Sequence, residues 1–197
     1  MTRPDAVEAA PAVDTAAAGR LIAGAFQQLA VSAWLMDDAA ERERIMGVQF
    51  GWFAEHALKY GAVDTIGDDA VAVWFDATTD APWIDGYDER LAELAGPHLA
   101  RFTLLDEVFA AHHPHGRPHF HLALLAVAPG RQNAGLGGRL LTRRLAQLDA
   151  DGVAAYLEAS TTGSRDLYLR HGFELMGEAY HLPGGGPPMY PMWREPR

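Results

Sequence analysis

The chemistry of this chain is concentrated in the stretch Val127-Ala128-Pro129-Gly130-Arg131-Gln132-Asn133-Ala134-Gly135-Leu136-Gly137-Gly138. An apolar run, Phe120 to Val127, leads into it, and a helix-periodic segment, Leu136 to Leu148, leads out. A buried strand that feeds a tight turn opening a helix aims several backbone N–H groups at one point, at the positive end of the helix dipole. That is an anion site, and pyrophosphate is the usual guest. Glycine suits it because a Cβ would hold the phosphate off the backbone, and because some N–H positions need φ > 0. A P-loop would place a lysine after the last glycine, and none follows Gly137; a dinucleotide fingerprint would have glycine where Leu140 stands.

Side chains able to move protons flank the turn. His119 and His121 begin the strand before it, His112, His113 and His115 precede them, and Glu158 and Tyr168 follow. Histidine titrates near neutrality and can take a proton from an attacking nucleophile. The run His112 to His115 also raises a metal site. No Cys or carboxylate stands at ligand spacing within it, and Pro114 with Gly116 reads as a surface loop, so no metal is expected.

Ordinary elements must hold these residues. Asp14 can cap a helix running through Leu21, Ile22, Ala25 and Phe26, and Ala39 to Tyr60 carries a helical stripe of Ile45, Met46, Phe50, Phe53, Ala54 and Leu58. Ala62–Ile66 and Ala70–Phe75 read as strands joined by the hairpin turn Gly67-Asp68-Asp69. Trp83 to Gly96 and Leu99 to His113 read as helices, followed by the strand ending at Val127 and the helix from Gly135. A strand at Ala154–Ala159 and a short helix at Ser164–His171 come next, and Phe173–His181 and Met189–Trp193 flank the loop Pro183–Pro188 as final strands. A strand at Ala6–Ala10 is also possible. The order predicts an α/β fold: one mixed, mostly antiparallel sheet with helices on both faces.

The chain has 197 residues, enough for one domain with a real core. Its net charge of −10 argues against a nucleic-acid partner and is compatible with a cationic small substrate. No apolar run reaches the ~20 residues of a membrane span, and the first residues lack the apolar core of a secretory signal. With zero cysteines the chain has neither a disulfide scaffold nor a thiol nucleophile, and a cytoplasmic location is expected.

Gln132-x-x-Gly135-x-Gly137, preceded by Val127-x-Pro129, resembles motif A of the GNAT family of N-acetyltransferases. Downstream, the apolar strand Ala155–Ser160 and then Ser164…Leu167-Tyr168…Gly172-Phe173-Glu174 resemble that family's signature after its fifth strand. The likeness runs from about His119 to the C-terminus and implies an acetyl-CoA-binding core at about 118–181. It implies that Arg131, Gln132, Asn133, Ala134, Gly135, Leu136, Gly137 and Gly138 cradle the pyrophosphate of acetyl-CoA, so that valine at Gly135 or Gly137 should block binding. It also implies that the fourth and fifth strands splay, leaving the backbone of Leu125, Ala126 and Val127 to pair with the pantetheine amides. Ser164 stands where related enzymes commonly have an asparagine that bonds the pantetheine arm; an N-cap role is the alternative.

Acetyl transfer to an amine needs a polarised carbonyl, a neutral attacking amine and a proton for the departing thiolate. By the resemblance Tyr168 supplies that proton. Glu158, acting through water, and His121 are candidates for the base. Within the family the layout resembles the puromycin-type, antibiotic-modifying enzymes, on the blocks Ala25-Phe26, Val71–Trp74, Leu91–Gly96, His112–His115, Leu157–Ser160 and Pro191-Met192. The acceptor implied is the primary amine of a small molecule, held by Phe26, Trp34 and Trp74, although the segment Gln27 to Asp38 diverges from that pattern. A peptide or protein amine, or a cofactor-binding regulator without turnover, are the alternatives; the expected assembly is a monomer or homodimer.

Overall fold

The computed structural model describes residues 13–197; the strand considered at Ala6–Ala10 lies outside the described residues. Helices α1 (Thr15–Phe26), α2 (Ala30–Leu35) and α3 (Ala39–Tyr60) precede the hairpin β1 (Gly61–Ile66) and β2 (Ala70–Asp76). Then come α4 (Tyr87–Ala95), α5 (Leu99–His112), β3 (His119–Val127), α6 (Leu136–Asp151), β4 (Ala154–Ala159) and α7 (Thr162–Arg170). Three strands close the chain: β5 (Glu174–Leu175), β6 (Tyr180–His181) and β7 (Pro188–Arg194). The sheet order is β1-β2-β3-β4-β7-β5, with β6 also on β7, and β3–β4 is its parallel pair among antiparallel ones.

Side-chain alternation divides the sheet into two cores. Val71 and Val73 of β2 pack with Ile22, Ile45 and Phe50 under α1 and α3, whereas Ala70, Ala72 and Trp74 face Leu140, Leu141 and Leu145 of α6. The first core depends on a close helix crossing. A Cβ on Gly19 of α1 would collide with the Gly47 carbonyl and lie 2.6 Å from the Gly51 amide nitrogen of α3. On the other face a bidentate ion pair at 2.8 Å joins Arg144 of α6 to Asp64 of β1, which is 5% exposed. Arg144 therefore clamps a helix to a strand; it does not belong to a solvated face.

Two features of β3 set the geometry at the middle of the sheet. Trp74 pairs with Leu122 and Val73 with Leu124, so Ala123 is an extra residue. This bulge reverses the alternation: Leu122 packs with the α6 core, while Ala123 and Leu124 both turn to the α1–α3 core. Second, β3 pairs with β4 only from His119 to His121, opposite Ala154 to Tyr156. Beyond that point β3 stays on β2 and Leu157 to Ala159 of β4 stay on β7, so the sheet opens between them like a V.

Several boundaries differ from the sequence expectation. The strand expected over Phe173–His181 is two pieces of two residues, because the chain turns at Gly177, whose φ is 100°. The helix expected from Trp83 starts at Tyr87, after Gly86 in the left-handed region. Helix α2 was unanticipated: its cap position is Leu29, which bonds nothing through its side chain. Helix α7 begins at Thr162 with Thr161 as its cap, so Ser164 is not the N-cap.

Candidate active site

The V opens onto a cavity of about 850 Å³ that runs from the α6 turn to the helices on the other face. At one end it is lined by Gln132, Ser164 and Tyr168, and by Leu125 to Val127 on the edge of β3 freed by the splay. Gly135 adopts φ 74° at the cap of α6, and the first helical N–H to find a carbonyl is that of Arg139, 3.0 Å from Gly135 O. The N–H groups of Leu136, Gly137 and Gly138 precede it, as an anion site at a helix start requires. A Cβ at Gly135 would meet nothing within 4 Å. A Cβ at Gly137 would instead meet Leu125, Val127 and Leu167 at 3.7–3.8 Å, ordinary contact distance, so any larger side chain there would press on the packing of α6 against β3 and α7. Arg131 is paired with Asp69 at 2.9 Å. Arg139 and Arg143 line a second, shallower cleft of about 540 Å³ beside Gly135 and Gly138.

Ser164 is committed to the α7 cap. Its hydroxyl donates to Thr161 O at 3.0 Å and accepts from Thr161 N at 3.2 Å. One turn later the ring of Tyr168 packs edge-on to Phe173, centroids 5.9 Å apart, and faces the cavity. Burial alone raises its pKa, so the phenol keeps its proton at neutral pH.

Where β3 and β4 still touch, their side chains form an acid–base cluster. Alternation puts Tyr156 and Glu158 on one face of β4. The Tyr156 hydroxyl donates to Glu158 Oε1 at 2.6 Å, and Glu158 Oε2 lies 3.2 Å from His121 Nε2. Burial would raise the Glu158 carboxyl, but the bonds from His121 and Tyr156 outweigh it and hold the carboxyl below its usual value. His113, at the end of α5, stacks edge-on to His121 with centroids 5.0 Å apart. Burial, with His121 and His119 as neighbours, lowers its pKa to about 4, which leaves it neutral. One ligand atom each of His113, His121 and Glu158 lie within 4.8 Å of one another, a spacing a metal ion could bridge. This trio differs from the local run His112–His115 considered in the sequence: only His113 comes from that run, and a carboxylate joins it across the sheet.

The far half of the cavity is aromatic. Phe26 lines it, with Phe53, Phe75 and Trp83. The other two expected acceptor residues fall elsewhere. Trp74 is fully buried beneath α6, because strand alternation gives the cavity face to Phe75. Trp34 looks the other way along α2: its Nε1 donates to Pro183 O at 3.0 Å and Arg101 lies 4.7 Å over its ring.

A model of the acetyltransferase (GNAT) family matches residues 51–173, more than half of the chain. The chain belongs to the GNAT acetyltransferase family. It is an acyltransferase, and acetyl-CoA is the family's acyl donor. Solved structures agree in fold. A Corynebacterium glutamicum protein described as histone acetyltransferase HPA2 and related acetyltransferase superposes with a TM-score of 0.66, at 22% identity over 95% of each chain. A protein from Pyrococcus horikoshii gives 0.55 at 17% identity, covering 96% of this chain and 97% of its own. The C-terminal condensation domain of Ebony, solved with beta-alanyl-dopamine, gives 0.54 at 13% identity, covering 89% and 90%.

Within this GNAT chain, the site contains residues that the sequence reading passed over. Tyr156 could have been found, since it stands two positions before Glu158 on a strand. His113 stands among the histidines the sequence offers as bases; what the sequence does not show is that the end of α5 brings it against His121 and Glu158. Asp106 and Tyr87, on two helices separated by a 3-10 turn, line the same cavity and carried no sequence motif.

Proposed function

We propose that this GNAT enzyme transfers the acetyl group of acetyl-CoA directly to the primary amine of a small, cationic molecule with an apolar or aromatic body. One observation carries the reading. The cavity that joins the Tyr168 end to the His121–Glu158 pair presents Asp76, Asp88, Asp106 and Glu158, and no Lys or Arg is among its described lining residues. Negative walls of low polarity raise the local concentration of a cationic amine.

In this reading the pyrophosphate lies on the N–H groups from Gln132 to Gly138 and the pantetheine arm follows the free edge of β3. His121 is the base. Its hydrogen bond to Glu158 sets the tautomer, leaves the other ring nitrogen to accept the amine proton, and stabilises the imidazolium that results. Tyr156 and His113 position this pair. Attack of the amine forms a C–N bond at the thioester carbon; collapse breaks the C–S bond, and Tyr168 gives its proton to the leaving thiolate.

A small acceptor is favoured over an extended peptide because the bond from Trp34 ties the loop after β6 across the N-terminal helices. Purified protein incubated with acetyl-CoA and separate panels of arylalkylamines, aminonucleosides and basic peptides, read by release of free thiol, tests the reading. Turnover on the amine panels supports it; turnover on peptides alone overturns it.

A further inference from the structure

Of the four cavity carboxylates, Glu158 belongs to the acid–base cluster and Asp76 is bonded to the Thr78 amide and hydroxyl at 2.8 and 2.6 Å. Asp88 sits exposed in the first turn of α4, where a negative charge meets the helix dipole. Asp106 has no such duty. It lies mid-helix in α5 and faces the cavity, and among the described residues its one side-chain hydrogen bond comes from the Tyr87 hydroxyl, 3.1 Å from Oδ2. That hydroxyl is itself fixed by Gln49 Nε2 at 2.8 Å in the buried α3–α4 interface. No salt bridge to Asp106 forms among the described residues.

Partial burial of this carboxylate among apolar walls carries a desolvation cost, and its other oxygen, with no protein partner among the described residues, is open to a cationic ligand. The cost shows in its pKa, raised to about 6 by burial and by Asp88 against the Tyr87 bond. Between this carboxylate and the reacting end runs a wall of rings: His121 to Phe75 at 6.1 Å, Phe75 to Trp83 at 5.5 Å and Trp83 to Tyr87 at 5.7 Å.

We propose that Asp106, held by Tyr87, is a distal cation subsite, and that the acceptor is therefore a dibasic amine. One nitrogen is acetylated at the His121 end, an apolar spacer lies along Phe75 and Trp83, and a second, cationic nitrogen pairs with Asp106. The proposal rests on the acetyl-transfer reading above and narrows its substrate class.

The test compares 2-phenylethylamine with the same compound carrying a para-aminomethyl group. Thiol release gives KM for each, and calorimetry gives affinity whether or not turnover occurs. The diamine should bind, and show a KM, about tenfold or more in its favour. Asp106→Asn, nearly isosteric, should bring the diamine-to-monoamine ratio close to one, and Asp106→Glu should restore part of the preference. Equal binding of the two amines by the wild type, or a preference that survives Asp106→Asn, overturns the distal subsite. Absence of turnover on both amines would instead count against the small-molecule transfer reading, while the calorimetric ratio still decides the role of Asp106.

Discussion

Tyr168 and His113 are both shifted by burial, with different consequences. Tyr168→Phe keeps the packing on Phe173 and removes the proton; the turnover number should fall ~10²–10⁴-fold with little change in acetyl-CoA affinity by calorimetry. A phenylalanine variant with normal turnover would make water the donor. His113 is neutral in the fold, its pKa lowered from 6.5 to about 4. Between those values the unfolded chain holds a proton that the fold rejects, so this residue lowers stability as pH falls from about 6.5 to about 4. Asp106 has the opposite sign. Its pKa rises from 3.8 to about 6, so its contribution is full below 3.8 and lost as pH climbs through about 6. In melting curves against pH, His113→Asn should flatten the acid-side loss, and Asp106→Asn should gain on the wild type as pH rises to neutrality.

At the scale of elements, the α6 turn was legible because glycines at a helix start have a local cause, whereas the stretch Leu-Tyr before Gly-Phe in α7 was legible through its resemblance to the family signature. Even there the two key glycines divide. Gly135→Val should weaken acetyl-CoA binding strongly, through both the positive φ and the open space the side chain would enter. Gly137→Val should act mainly by pushing α6 off Leu125 and Leu167, which a lower melting temperature would reveal. Other features were illegible for physical reasons. A bulge at Ala123 has no signature in composition, yet it decides which face Leu124 takes. Trp34 and Trp74 are aromatic residues on elements near the cavity, and only the turn of α2 and the parity of β2 show that neither lines it. The Arg144–Asp64 clamp joins residues eighty positions apart. Removing one partner, as in Arg144→Ala, leaves a buried charge and should cost about 3–5 kcal/mol in chemical denaturation.

At the scale of the whole molecule, the net charge is −10. Four of the 26 acidic residues face one cavity, and none of its described lining residues is Lys or Arg. Attraction of a cationic acceptor then has a long-range part that salt screens, with a Debye length of ~10 Å at 0.1 M. Raising ionic strength should increase the acceptor KM more than the turnover number. A KM indifferent to salt would show that the acceptor arrives uncharged or that the acidic wall plays no part in its capture.

The ring wall has an optical consequence. Trp83 is 50% exposed on the cavity side, while Trp74 is fully enclosed under α6. An indole in water emits at longer wavelength than one in an apolar medium, so these two tryptophans report from different spectral positions. Filling the cavity with an amine should dry the Trp83 ring and shift its share of the emission to the blue, while the other four tryptophans, none of which lines the cavity, supply the background. The protein thus carries an intrinsic fluorescent gauge of acceptor occupancy, readable without label or turnover, and Trp83→Phe should silence it.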